Sequence, residues 1–142
     1  MRLVLDTNVV VSAVLSRGAA WEILGLARER PELQLFSSFE LLAEFADVIG
    51  RPFAVQRLAK IGRTAAEVVA EYVAVVTVVE PAAVGRIVPD DADDDVVVAT
   101  AIAARAMWVV TGDGDLLRMK SHQGISMVAT GDARDRLRGV PP

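Results

Sequence analysis

Short apolar runs without polar–apolar alternation constrain the fold of this chain more than any other feature. The clearest are residues 3–5, Leu-Val-Leu, and residues 107–110, Met-Trp-Val-Val. A strand with one face in water alternates, whereas a strand buried on both faces is continuously apolar. Segments with helical periodicity and helix caps separate these runs. The pattern therefore predicts an α/β fold in which helices cover both faces of a parallel sheet.

The predicted elements fill the 142 residues as one domain, residues 1–142. The β-branched tail of the long fifth helix, residues 73–79, also fits a strand. Gly, Pro and Asn/Asp/Ser/Thr clusters mark most of the boundaries. Strands are expected at residues 2–5, 33–36, 85–88, 107–110 and 126–129. Helices are expected at residues 8–15, 19–29, 39–49, 54–61, 65–79, 113–118 and 131–138, with an Ala/Val-rich helix ending at 106.

Composition removes several classes of chemistry. The chain has no cysteine, which excludes disulfides, thiolate zinc sites and cysteine nucleophiles. Its single histidine, His122, excludes a metal site built on several histidines. The formal net charge of −4 excludes a generally cationic nucleic-acid coat, although not a local basic patch. The side chains left for chemistry are the carboxylates of eleven Asp and eight Glu.

The apolar runs are also too short for a membrane. A spanning helix needs about 20 consecutive apolar residues, and no run approaches that length. Asp6 interrupts any signal-like apolar run at the N-terminus, so no signal peptide is expected. We expect a soluble, cytoplasmic protein without a membrane partner.

Acidic residues follow the predicted strands at their carboxyl ends. Asp6 comes directly after the first strand, and Asp113 closely follows the strand at 107–110. Asp94 and Asp95 stand at the start of a helix entered from the same edge, and Glu44 lies beside the core-facing stripe of its helix. Ligands of parallel sheets bind outside the carboxyl ends of the strands. We expect these acids to meet in one cleft.

Carboxylates that meet in a cleft repel one another, and a hard divalent cation relieves that repulsion. Mg²⁺ and Mn²⁺ prefer oxygen ligands, activate water and neutralise charge on a phosphodiester. The composition therefore best supports a metal-assisted hydrolase. Taken singly, Asp6 could be a helix cap, Asp113 a turn residue and Glu44 a surface acid. The expectation rests on their common placement at one edge of the sheet.

Four stretches, in order, resemble the PIN domain, and within it the VapC-like toxins of bacteria. They are Leu-Asp-Thr-Asn-Val at 5–9, Leu-Leu-Ala-Glu-Phe at 41–45, Asp-Ala-Asp-Asp-Asp at 91–95 and Val-Val-Thr-Gly-Asp-Gly-Asp-Leu-Leu at 109–117. Their order and spacing match over roughly residues 1–130. Ala92 stands where many members of the family have proline.

The resemblance implies a Rossmann-like α/β/α sandwich with a mainly parallel five-stranded sheet. It implies a Mg²⁺- or Mn²⁺-dependent ribonuclease, possibly the toxin of a toxin–antitoxin pair, with RNA as substrate and an antitoxin as partner. The catalytic acids would be Asp6, Glu44, Asp113 and either Asp94 or Asp95, and all but Glu44 would hold metal. Thr7, Asn8, Thr111 and Asp115 would support them. The Ala/Val-rich helices also offer apolar faces for a homodimer.

A basic stretch is a candidate RNA contact. Arg51, Arg57, Lys60 and Arg63 occur where no acid interrupts the chain between residues 47 and 67, although a solvated helix face explains them equally well. Two other functions remain open. One is a phosphatase with Asp6 as nucleophile, although Asn8 stands where haloacid-dehalogenase-type enzymes have a second Asp. The other is a PIN fold that binds RNA or a protein without cleavage.

Overall fold

A mainly parallel sheet forms the centre of the structure. The computed structural model describes residues 1–87 and 92–139. Over those residues the strands are β1 (Arg2–Leu5), β2 (Gln34–Ser37), β3 (Thr77–Val78), β4 (Trp108–Thr111), β5 (Ser121–His122) and β6 (Ile125–Ala129). Their order in the sheet is β3-β2-β1-β4-β6-β5. Every pair is parallel except β5 with β6.

Helices follow most strands, and polar side chains cap several of them. Ser38 and Thr64 accept hydrogen bonds from backbone N–H groups in the first turns of their helices. The described helices are α1 (Thr7–Leu15), α2 (Ala19–Glu29), α3 (Phe39–Ile49), α4 (Pro52–Ala59), α5 (Ala65–Val75), α6 (Ala92–Ala104), α7 (Gly114–Met119) and α8 (Thr130–Leu137).

The two faces of the sheet carry separate cores. Leu3 and Leu5 point into a cluster with residues of α1, α2, α3, α5 and α8. Val4, between them, points into the opposite cluster, which α6 and α7 cover. Successive strand side chains alternate between the faces of the sheet, and both faces are buried under helices. This explains the continuous apolar runs and confirms the α/β/α sandwich.

The strand order reverses beside β1. The chain continues from β1 to β2 and β3 on one side, whereas β4 and β6 lie on the other. In open α/β sheets such a reversal leaves a crevice at the carboxyl ends of the two central strands. Asp6 directly follows β1, and Thr111 is the last residue of β4. The crevice therefore opens between these two residues.

Two details differ from the sequence prediction. Residues 85–87 form no strand, and residue 88 lies outside the described residues. The segment runs along α6 instead, because Ala82 N–H donates to the Ala99 carbonyl and Ile87 N–H to the Asp95 carboxylate. Residues 77 and 78, in the β-branched tail predicted for the fifth helix, lie beyond the end of α5 and form the edge strand β3. The sixth strand is β5, two residues that pair back onto β6.

One pair of helices stands out in length and apolar character. Within the described ranges, no single helix is long and apolar enough to cross a membrane. Among the described helices, α1 and α2 reach that length and composition only when taken together, and a bend of 92° separates them.

Tyr72 of α5 buries a hydroxyl in the core. Its ring meets that of Phe45 edge to face, with 5.5 Å between the ring centroids. Its hydroxyl has no hydrogen-bond partner within the described part of the chain. Burial raises the pKa of Tyr72, because the phenolate would lose its hydration there. The buried hydroxyl therefore lowers the stability of the folded state, whereas the packed ring does not.

We expect Tyr72→Phe to keep or raise the free energy of unfolding, by up to about 1 kcal/mol, because it removes a buried polar atom and keeps the ring contact. The wild type should also lose stability as the pH rises above about 10, since unfolded tyrosine ionises there and the folded residue does not. Tyr72 is the only tyrosine of the chain, so the variant should lack this tyrosine-dependent loss. Urea unfolding of both proteins at neutral and alkaline pH measures the difference. A variant clearly less stable at neutral pH would show that the hydroxyl is hydrogen-bonded.

Candidate active site

Asp6 stands at the reversal of the strand order, held from two directions. Its backbone N–H donates to the Val110 carbonyl at 3.0 Å, which extends the pairing of β1 with β4. One carboxylate oxygen, Oδ1, accepts the Thr7 N–H at 2.8 Å, so Asp6 caps α1. The other, Oδ2, accepts the Thr111 hydroxyl at 2.8 Å. Asp6 is only 7% exposed, and these bonds fix its carboxylate in the buried crevice.

Asp113 is tied to the same hydroxyl. Its backbone N–H donates to Thr111 Oγ1 at 3.0 Å. Its own Oδ1 accepts the N–H groups of Asp115 at 2.7 Å and of Leu116 at 3.4 Å, so Asp113 caps α7. A continuous hydrogen-bonded chain thus runs from Asp6 through Thr111 to Asp113. It connects the ends of β1 and β4.

Three carboxylates converge beside this chain. One carboxylate oxygen from each of Asp94, Asp113 and Asp115 lies within 4.8 Å of the other two. Asp94 is buried and the other two are half-buried. Arg118 forms an ion pair with Asp115, which offsets part of the negative charge. The group still presents an excess of carboxylate oxygen in a partly desolvated place, the donor set that Mg²⁺ and Mn²⁺ prefer. These residues fit a hard divalent cation.

The structure separates Asp94 from Asp95. Asp95 Oδ1 accepts the Ile87 N–H at 3.0 Å, and its Oδ2 lies 3.6 Å from Arg86 Nε. Asp95 therefore holds the segment before α6, whereas Asp94 joins the carboxylate group. Asp6 is not a member of the group of three, and it meets that group through Thr111 and Asp113. Asp115, expected only as a supporting residue, is a full member.

Glu44 lies in a neighbouring cleft of about 480 Å³. It is exposed on α3, a helix that packs against α1. Asn8, in the first turn of α1, is exposed to the same cleft. Arg51 also lines it and pairs with Asp47 at 3.0 Å. The structure thus brings Glu44 and Asn8 together in one cleft, and Asn8 is two residues beyond Asp6.

Two supporting hydroxyls behave differently from each other. Thr111 Oγ1 makes both bonds described above, as donor to Asp6 and acceptor from Asp113. Thr7 serves Asp6 through its backbone N–H, while its buried hydroxyl finds no hydrogen-bond partner within the described residues. Thr111 is therefore the hydroxyl that organises the acids.

Sequence reasoning missed the pair that positions α6. The hydroxyls of Thr100 on α6 and Ser38 at the start of α3 are hydrogen-bonded at 3.0 Å, and both residues are fully buried. The bond joins α6, which carries Asp94, to the carboxyl end of β2. Ser38 reads in the sequence as a helix cap, but no local signal marks Thr100 as its partner.

The four predicted RNA-contacting cations do not all line one cleft among the described residues. Arg51 lines the cleft of Glu44, whereas Arg63 lines a different cleft and pairs with Glu67 and Glu71. Those glutamates raise the pKa of Arg63, mainly through the hydrogen bond that Arg63 donates to Glu71. Arg57 reaches the Leu15 carbonyl at 3.5 Å. Lys60 is exposed at the end of α4.

Comparison with known proteins identifies the family. The profile of the PIN domain matches residues 2–115 of the chain. The chain belongs to the PIN domain family. Its fold is similar to that of a chain in the crystal structure of VapBC2 from Rickettsia felis bound to a DNA fragment from their promoter. That match has a TM-score of 0.60 and 18% sequence identity, and covers 91% of this chain and 98% of the other. No curated protein matches the sequence.

The convergence of Asp94 with Asp113 and Asp115 predicts that the adjacent residues Asp94 and Asp95 have different roles. Mn²⁺ should raise the melting temperature of the wild type, because an ion that binds only the folded state stabilises it. Asp94→Asn should lose most of this gain, because it removes one anionic oxygen from the group. Asp95→Asn, its matched control, should keep the gain, since Asp95 contacts Ile87 and Arg86 instead. Thermal melts in EDTA and in Mn²⁺ measure both. Equal losses in the two variants would contradict the separation of Asp94 from Asp95.

Proposed function

We propose that this PIN domain protein is a metal-dependent endoribonuclease that hydrolyses phosphodiester bonds of RNA. The observation that carries the proposal is the convergence of Asp94, Asp113 and Asp115 at the reversal of the strand order. The family match supports it, because PIN domains are generally nucleases. The site offers only oxygen ligands, which favours Mg²⁺ or Mn²⁺ as cofactor.

The three aspartates would hold the cation, and Asp6, connected to Asp113 through Thr111, would add negative charge to the site. When bound, such an ion supplies an activated water and offsets the charge that develops on a phosphodiester. The chain's own part is to keep the carboxylates in place before substrate arrives. Thr111 does this by holding the Asp6 carboxylate and the Asp113 backbone at once. The caps on α1 and α7 bring two of the acids to the same edge of the sheet.

Glu44 and Arg51 give the adjoining cleft two further roles. Glu44 is an exposed carboxylate there, suited to accept a proton from an attacking water or to orient that water. Arg51 lies in the same cleft, suited to bind an RNA phosphate in exchange for its exposed pairing with Asp47. Asn8 adds an amide for the sugar or phosphate of the strand.

The geometry disfavours a phosphatase with Asp6 as nucleophile. A nucleophilic carboxylate must present an oxygen to the substrate. Both oxygens of Asp6 already accept hydrogen bonds, from Thr7 and Thr111, and the residue is buried. Asp6 is better suited to a positioning and charge-supplying role.

We further propose that the protein acts in the cytoplasm as the toxin of a toxin–antitoxin pair and assembles as a homodimer. The similarity of its fold to a chain of the VapBC2 structure supports an antitoxin partner. Several large apolar side chains are exposed and could be covered by such partners, among them Phe39, Phe53 and Val78.

Purified protein should cleave single-stranded RNA in Mg²⁺ or Mn²⁺ and stop in EDTA. Asp113→Asn should lower the rate by about 100-fold or more, since even outer residues of metal sites contribute on that scale. Asp132→Asn is the matched control, because Asp132 is an exposed aspartate in the first turn of α8. It should cleave at the wild-type rate. Gel analysis of a labelled RNA with each variant gives the rates.

Two outcomes would contradict the proposal. Undiminished cleavage by clean protein in EDTA would exclude the metal mechanism. RNA binding without cleavage in Mg²⁺ or in Mn²⁺ would instead indicate a PIN fold that binds RNA without hydrolysing it.

A further inference from the structure

A second cleft, of about 280 Å³, lies among the end of α1, helix α2 and the start of α5. It shares no lining residue with the cleft of Glu44. Three arginines from separate parts of the chain line it: Arg17 from the turn before α2, Arg28 from the last turn of α2, and Arg63 from the turn before α5. Since α1 begins directly after Asp6 and ends at this cleft, nine residues of helix, or about 13 Å, separate Asp6 from the cleft.

The cleft is positively charged in a chain whose net charge is negative. Its only acidic lining residue is Glu71, among the residues that the structure describes. Arg63 donates a hydrogen bond to Glu71 and thereby holds the pKa of that carboxyl below its usual range, with a smaller contribution from the charge of Arg28. Arg17 and Arg28 form no ion pair within the described chain. Three guanidinium groups thus face one carboxylate in this cleft, and an excess of positive charge remains for an anion from outside.

Apolar surface adjoins these charges. Trp21 lines the cleft and is 45% exposed, and the Arg17 guanidinium lies 5.4 Å from the centroid of its ring. Ile61, 62% exposed, lines the same cleft. Guanidinium groups bind phosphate oxygens in pairs of parallel hydrogen bonds, and aromatic side chains contact nucleobases through their faces. The cleft combines both kinds of contact.

We propose that this cleft binds one nucleotide unit, with its phosphate at Arg17 and Arg28 and its base against Trp21 and Ile61. The unit could belong to a free nucleotide or to a single-stranded RNA, because both present the same phosphate and ring. Neither source depends on the metal site, so the proposal stands apart from the ribonuclease activity.

The experiment uses the full chain in EDTA, so that RNA remains intact. The probes are 5′-AMP, adenosine, a tetraglutamate peptide and a short fluorescently labelled single-stranded RNA. Tryptophan fluorescence reports the small probes, with Trp21→Phe as the variant in which the signal from Trp108 remains. Anisotropy reports the RNA at several salt concentrations.

The test variant is Arg17→Gln/Arg28→Gln, and its matched control is Arg105→Gln/Lys120→Gln. The control removes the same charge from exposed residues outside the cleft. Thermal melts confirm that both variants fold. The test variant should bind 5′-AMP, RNA or both at least about tenfold more weakly than the control, since each guanidinium–phosphate contact is charged. For RNA, two lost contacts should lower the log–log salt slope by about 1.4.

The outcomes separate the two sources. If the test variant loses affinity for RNA alone, the cleft binds the RNA strand. If it loses affinity for 5′-AMP alone, the cleft binds a free nucleotide. Lower affinity for both probes means that the cleft binds any nucleotide unit. Adenosine or tetraglutamate binding as well as 5′-AMP would overturn the nucleotide assignment. Equal affinities of the test and control variants for every probe would overturn the site.

Discussion

One buried hydroxyl, that of Thr111, connects Asp6 to Asp113 in the candidate site. Thr111 Oγ1 has a single proton, which it donates to Asp6 Oδ2, and a lone pair that accepts the Asp113 N–H. Because Thr111 is fully buried, water does not compete for either bond. The two bonds join β1 to the end of β4 where the strand order reverses. The acids are therefore placed by the fold itself, before any ligand offsets their mutual repulsion.

Much of this arrangement can be predicted from the sequence, because strands buried on both faces of a sheet are continuously apolar. Continuous apolar runs located β1 and β4, and the acidic residue directly or closely after each run located Asp6 and Asp113. The segment at 85–88 misled the same reasoning. Within its described residues, 85–87, the Ile87 N–H donates to Asp95 of α6, and an apolar segment along a helix has the same composition as a short edge strand.

The choice between Asp94 and Asp95 could not be made from the sequence. Adjacent helix residues point about 100° apart, so the direction of each depends on how α6 is rotated against the sheet. Long-range contacts decide that rotation: Thr100 meets Ser38, and Asp95 meets Ile87. The cleft lined by Arg17, Arg28 and Arg63 could not be predicted from the sequence for the same reason, since Arg17 and Arg28 lie far along the chain from Arg63.

The most direct test of this account is the Mn²⁺ affinity of Thr111→Val beside Thr111→Ser, measured from the electron paramagnetic resonance signal of free Mn²⁺. Valine keeps the shape and removes the hydroxyl, whereas serine keeps the hydroxyl. We expect Thr111→Val to fold and to bind Mn²⁺ about tenfold to 100-fold more weakly, as when an outer partner of a metal site is lost. Thr111→Ser should bind nearly as the wild type does. Wild-type affinity in a folded Thr111→Val protein would contradict the claim that this hydroxyl positions the acids.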